Sequence, residues 1–299
     1  MKLLAVETID VRGLANGVYS FAKAPEEAHE RVLITGDSGA GKTRLLEVIV
    51  AACELLTIHE PLPEHATLIC PENRTSKTIL TWLLTASEQA TIAAPRPVVT
   101  SEIIFGASQP EELDSRIGFL LERYGHDDAT PKIEYFSEQR RLDLGGGSAS
   151  LDEDAQVQLR ATMGPTPRKF SWLPAFLDEL AGDSARAARF GSSLERFSPS
   201  CAWDATRQTL TSRGRPLRSL RELSASETDA VTLSATAALV GLSNSIVLID
   251  RPDLHGIDAA HALLGLAGLG ADNQLIMATS SPAFAAGFAG AIIALGAGQ

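Results

Sequence analysis

A chain of 299 residues, 44% hydrophobic and 21% charged, has the length and apolar content of one large α/β domain and is too balanced to be disordered or fibrous. Its formal net charge of −11 excludes nucleic-acid binding driven by overall charge, although local basic patches remain open to such a partner. No uncharged apolar run is long enough to span a bilayer, and Cys53, Cys70 and Cys201 stand far apart in no metal-ligand spacing, so a cytoplasmic protein without a membrane partner is expected.

Residues 3–12 alternate as a strand, and Gly17-Val-Tyr-Ser-Phe-Ala22 reads as its return. Glu7 and Asp10 interrupt the start before a signal-peptide core develops. After a turn at Ala24-Pro-Glu-Glu27 comes the most informative stretch, Arg31-Val-Leu-Ile-Thr-Gly-Asp-Ser-Gly-Ala-Gly-Lys-Thr43. It joins an apolar strand to a glycine-rich turn and a helix running from Lys42 to about Ile58, and it fits G-x-x-x-x-G-K-[ST] in full. A loop whose backbone N–H groups all point at phosphate oxygens needs backbone angles that glycine tolerates. The helix N-terminus adds partial positive charge. The expected phosphate-binding residues are Gly36, Asp37, Ser38, Gly39, Ala40, Gly41, Lys42 and Thr43, with Lys42 bridging the terminal phosphates and the Thr43 hydroxyl on Mg²⁺.

Next in the chain come a Pro-rich connection (60–64), a short apolar piece (66–70) and a helix from Lys77 to about Gln89. Val98 to Phe105 is predicted as a strand and Glu111 to Arg123 as a helix. Lys132 to Phe136 is a further strand, running into Ser137-Glu-Gln-Arg-Arg141. A flexible break at 143–148 precedes a helical pattern from Leu151 to about Phe190, interrupted at Gly164-Pro165 and Gly182-Asp183. Residues 186–221 carry eight arginines: Arg186, Arg189, Arg196, Arg207, Arg213, Arg215, Arg218 and Arg221. The stretch reads as a solvated face balancing the acidic remainder, in preference to a phosphate or nucleic-acid contact through Arg213 and Arg215. Thr209 to Arg218 forms a hairpin turning at Arg213-Gly214.

Leu223-Ser-Ala-Ser-Glu227 opens a helix to about Val240, with Ser224 and Glu227 as a capping box. Ser245-Ile-Val-Leu-Ile-Asp250 is a buried-strand run ending in a carboxylate, which after a phosphate loop is the expected second metal contact. Gln274-Leu-Ile-Met-Ala-Thr-Ser-Ser-Pro282 is a last such strand.

The order of phosphate loop, L-S-x-x-E helix and apolar strand ending in Asp resembles the ABC-type ATPase family, and more narrowly its soluble RecF/SMC-like and overcoming-lysogenization-defect-like branch. Leu223, Ser224 and Glu227 match the signature, with Ala225 and Ser226 in place of glycines. Thr279, Ser281 and Pro282 match a Thr-His-Ser-Pro end, and Val11-Arg12-Gly13-Leu14 is a loose match to an Asn-Phe-Arg-like turn. Two departures stand out: Arg251 replaces the glutamate after Asp250 that polarises the attacking water, and Ser280 replaces the histidine that contacts the γ-phosphate. The resemblance implies Asp253 or Glu227 as substitutes for the glutamate, His255 and Asp258 in a dimer-contact loop, and Gln139 as a metal-sensing glutamine.

The expected fold is therefore α/β: a three-layer P-loop nucleotide-binding sandwich with a mixed sheet, an antiparallel sheet near the N-terminus and an inserted helical lobe. The whole of 1–299 forms one ATP-binding unit, divided into 1–145 with the phosphate loop, 150–222 as helical lobe and hairpin, and 223–299 with the signature helix and last strands. The resemblance implies an ATP- and Mg²⁺-binding protein that dimerises around the nucleotide, Ser224 acting across the dimer. It implies slow hydrolysis with Lys42 and Asp250 as catalytic residues and Thr43 and Asp250 on the metal. The alternative is a non-hydrolysing ATP-dependent switch that recruits a partner protein.

Overall fold

The computed structural model describes residues 1–57, 65–106, 115–126, 133–140, 170–256 and 258–296. The predicted proline-rich connection, the break at 143–148 and the helical pattern up to residue 169 lie outside them. In chain order the strands and helices are β1 Lys2–Ile9, β2 Gly17–Ser20, β3 Ala22–Ala24, β4 Glu27–Ala28, β5 Arg31–Gly36, α1 Lys42–Leu56, β6 Ser76–Leu83, α2 Ala86–Thr91, β7 Val98–Phe105, α3 Ser115–His126 and β8 Ile133–Phe136. Beyond these lie α4 Leu173–Glu179, α5 Ser184–Phe197, β9 Cys201–Asp204, β10 Thr209–Ser212, β11 Arg215–Pro216, α6 Ala225–Val240, β12 Ile246–Asp250, α7 Ala259–Leu266, β13 Gln274–Ala278, α8 Pro282–Ala286 and β14 Ala291–Leu295.

Among the described residues, a parallel sheet runs in the order β14-β5-β13-β12-β8. Its central strands are continuous apolar runs because both faces are covered. Alternation divides each strand between two cores. Val32 and Ile34 of β5, Ile246 and Leu248 of β12, and Ile276 and Ala278 of β13 pack on the side of α1. Leu33, Val247, Ile249, Leu275 and Met277 pack against α4 to α7 on the other side. The same parity turns Asp250, two residues after Leu248, toward α1.

The predicted antiparallel sheet is present, in the order β2-β1-β6-β7, and covers the far side of α1. Strands of both senses are thus divided between two sheets that sandwich one helix. The helix expected from Lys77 to Gln89 is a misreading. Ser76–Leu83 is a strand whose burial alternates residue by residue, and only Ala86–Thr91 is helical, behind a Thr85–Glu88 capping box. The run Thr78-Ile-Leu-Thr-Trp82 is mostly β-branched or aromatic, and its buried positions at every second residue carry period two rather than 3.6. Trp82 is fully buried with its indole N–H on Ser101 Oγ at 3.2 Å.

One side chain joins the two sheets. The buried Gln274 amide accepts from the Leu3 N–H at 2.7 Å and donates to the Leu3 and His29 carbonyls, so β13 carries a short substitute ladder to β1. The hairpin expected at 209–218 is β10–β11, and Arg213 and Gly214 both hold the positive φ that its tight turn requires.

Candidate functional site

β5, β13 and β12 end side by side, with Ile34 beside Ala278 and Ala278 beside Asp250. The loops leaving these three strands therefore gather at one carboxyl edge, the usual ligand-binding edge of a parallel sheet. The loop between β5 and α1 has positive φ at Gly36, Gly39 and Gly41. A Cβ at Gly36 would stand 2.5 Å from the Leu295 carbonyl oxygen, and one at Gly41 would strike the Gly13 carbonyl and Leu14. Glycine is thus required at both positions by close approach as well as by conformation. The second contact shows what the Val11–Leu14 turn does: it packs directly on the Gly36–Thr43 loop.

Lys42 is buried, and its ammonium donates to the Gly36 and Asp37 carbonyls at 2.8 and 2.6 Å, reaching back over the loop. Burial lowers its proton affinity, with Asp250 and Asp37 opposing and Arg251 reinforcing the effect. Thr43 Oγ1 donates to Asp250 Oδ2 at 2.7 Å. Asp250 is 2% exposed, and burial raises its carboxyl above the ordinary range against the Thr43 hydrogen bond. Glu47, one turn beyond Thr43 on α1, is also raised by burial, with Asp250 adding to it. Lys42, Thr43 and Asp250, expected to act together, are brought together.

The other expected residues have the following surroundings. Glu227 closes the capping box with the Ser224 amide and hydroxyl, and accepts from Ser212 Oγ at 2.6 Å and Ser200 Oγ at 3.2 Å. Both of its carboxylate oxygens are thus engaged, one by Ser200 and Ser212 and the other by its own helix start. Ser224 is exposed at the start of α6, and its hydroxyl serves that same box. Gln139 is an exposed turn residue. Asp258 caps α7 through the His261 amide at 2.9 Å, and His255 is exposed at φ 63°. Ser280 is exposed after β13. Seven of the eight arginines are exposed and Arg186 is half-buried, as a solvated face requires.

Glu227 yields a pH prediction. Burial would raise its carboxyl, but the Ser212, Ser224 and Ser200 hydrogen bonds outweigh burial and hold it down at about 2. A depressed carboxylate stabilises the fold above its unfolded pKa, and that contribution disappears as pH falls from about 4.5 toward 2. Glu227→Gln is expected to cost roughly 2–3 kcal/mol at neutral pH and to flatten that acid limb. Urea midpoints between pH 7 and 3 measure both; a variant as acid-sensitive as wild type contradicts the assignment.

Arg140 carries no signal in the sequence, and Asp253, implied there as a substitute for the glutamate, has partners the sequence does not show. Arg140, in the turn after β8, is buried and forms an ion pair with Asp229 of α6, its Nη2 lying 3.2 Å from Asp229 Oδ2. It also donates to the Ser137, Asp250 and Arg251 carbonyls at 3.0, 2.6 and 2.9 Å. Asp253 accepts from Thr279 Oγ1 at 2.6 Å and from Arg251 at 3.3 Å through two nitrogens. Neither pairing is legible locally, because the partners Arg140–Asp229 and Asp253–Thr279 are 89 and 26 residues apart.

No family model and no curated protein matches the chain. Solved structures do. An SMC head bound to the C-winged helix domain of ScpA aligns with 98% of this chain and 94% of its own, at 14% identity and TM-score 0.56. An SMC head domain with an extended coiled coil, bound to the C-terminal domain of ScpA from Pyrococcus furiosus, covers 98% and 92% at 12% identity and TM-score 0.56. The recombination mediator RecF with ATP covers 93% and 92% at 10% identity and TM-score 0.47. At these identities the likeness is one of fold: an α/β domain folded like an SMC head.

Proposed function

We propose that the chain is an ATP-binding P-loop protein of ABC type that closes as a homodimer around Mg·ATP and hydrolyses it slowly. The observation that carries this is the Thr43–Asp250 contact of 2.7 Å beneath the Gly36–Thr43 loop. A hydroxyl and a buried carboxylate whose proton affinity is raised form the hard-oxygen pair that suits a small divalent cation. Thr43 and Asp250 would hold Mg²⁺, which supplies charge neutralisation at the phosphates when bound. Gly36, Asp37, Ser38, Gly39, Ala40 and Gly41 would wrap the phosphate chain, and Lys42 would exchange its two carbonyl partners for phosphate oxygens. Ser224, at the exposed start of α6, would meet the nucleotide of a second copy.

A second reading is favoured by one observation: the residue after Asp250 is a cation, and Asp253 is already engaged by Arg251 and Thr279. Such a site holds ATP better than it activates water, and the protein would be an ATP-dependent switch whose closed form recruits a partner protein. The likeness to an SMC head bound to a winged-helix domain supports a protein partner. Single-turnover hydrolysis of labelled ATP, with mass measured by size exclusion in Mg·ATP, separates the readings. Slow turnover lost in Asp250→Asn supports the ATPase. A dimer without turnover, in which Arg251→Glu installs hydrolysis, supports the switch. Absence of ATP binding defeats both.

A further inference from the structure

Arg251 is placed with more care than a surface arginine requires. Its backbone lies at φ 55°, a region that residues bearing a Cβ seldom adopt. Two hydrogen bonds hold it there: its amide donates to the Ala278 carbonyl of β13 at 2.9 Å, and its carbonyl accepts from the buried Arg140 at 2.9 Å. Non-glycine residues kept in such conformations by their surroundings cluster at ligand sites. The side chain starts one residue beyond Asp250, and its charge is felt by both Lys42 and Asp250. It is held loosely: both contacts to Asp253 are 3.3 Å long, and 39% of the side chain is exposed. A guanidinium fork matches two oxygens of a phosphoryl group and binds them more strongly at short range than it binds a carboxylate through two contacts of this length.

We propose that Arg251 is a binding residue for the terminal phosphate of a nucleoside triphosphate, leaving Asp253 for the ligand, and that it makes the site prefer triphosphate over diphosphate. The inference rests on reading the Gly36–Thr43 loop as a nucleotide site and names the group that discriminates there. A carboxylate at this position would repel the terminal phosphate while polarising water; a guanidinium attracts the phosphate and cannot take a proton from water. The exchange also has a local consequence. Asp253 keeps Thr279, whose amide is tied to the Ile34 carbonyl at 3.0 Å, so releasing Arg251 alters the charge balance where β5, β12 and β13 end together.

The test is equilibrium titration of the full chain with the Mg²⁺ complexes of adenosine 5′-(β,γ-imido)triphosphate and of ADP, by calorimetry. The variants are Arg251→Gly, Arg251→Lys and, as reference, Lys42→Ala. Glycine is at ease at positive φ, so Arg251→Gly removes the side chain while keeping the backbone path, and its melting temperature checks the fold. The expected result is a tenfold or greater loss of affinity for the imidotriphosphate in Arg251→Gly, ADP affinity within twofold of wild type, and a smaller loss in Arg251→Lys. Equal losses for both nucleotides, or no loss for either, overturn the proposal while leaving the nucleotide site standing, provided Lys42→Ala weakens both. Wild type that binds neither nucleotide overturns the site and the proposal together.

Discussion

Replacing Lys42 by alanine is expected to weaken ATP binding by about 100-fold or more while changing the stability of the unliganded protein little. In the free structure the ammonium is shared between two carbonyls of its own loop, which water can satisfy when the side chain is gone. With a triphosphate bound, the same group would form two or more charge-assisted hydrogen bonds, each worth about 1.5–3 kcal/mol. Burial strengthens the contrast, because an ammonium whose proton affinity is already lowered gains more from an incoming anion than an exposed one. Titration with a fluorescent ATP analogue, together with the shift in melting temperature on adding Mg·ATP, reads the effect. If Lys42→Ala binds within threefold of wild type, the loop is not holding phosphates through this residue.

Arg140→Ala should produce the largest loss of stability of any single change at the site, about 3–5 kcal/mol. The side chain is 1% exposed and Asp229 is 3% exposed, so removing the cation strands a carboxylate inside the protein. It also takes a donor from the carbonyls of Asp250 and Arg251, the two residues whose positions decide the geometry of the site. The double variant Arg140→Met with Asp229→Leu should recover much of the lost stability, since paired removal of a buried ion pair is often neutral. Nucleotide affinity should not recover with it, because no apolar side chain can hold those carbonyls. Urea unfolding of wild type and both variants, paired with nucleotide titration, separates the two roles; a loss below 1 kcal/mol in Arg140→Ala would show that the pair carries no weight.

The contrast between Lys42 and Arg140 shows what the linear sequence can disclose. Lys42, Thr43 and the glycines form one contiguous motif, and Asp250 ends an apolar strand run downstream of it, on the same side as Leu248. Such local rules make the sheet edge and its loop readable in advance. Arg140 has the same letters around it as any surface turn, Ser-Glu-Gln-Arg-Arg, and its meaning depends on a helix 89 residues later. The 77–89 segment misleads for a related reason. Lys77 and the glutamate and glutamine near Thr91 suggest a helix, whereas the strand is fixed by pairing with Lys2–Ile9 and Val98–Phe105. Asp253 and Glu227 are interchangeable as isolated carboxylates, and only their partners tell them apart.

The position of β5 has a consequence for how the protein comes into being. Its neighbours in the sheet are β13 and β14, at residues 274–278 and 291–295. During synthesis Val32-Leu33-Ile34 leaves the ribosome long before either neighbour exists. Until then an apolar strand waits without partners, and Gly36 at its end lacks its pairing partner Leu295. Such distant pairings slow folding and leave adhesive edges open in the interval. Recombinant chains cut short after residue 270 are therefore expected to collect in inclusion bodies, and refolding of the intact protein should lag well behind that of a helical bundle of similar size.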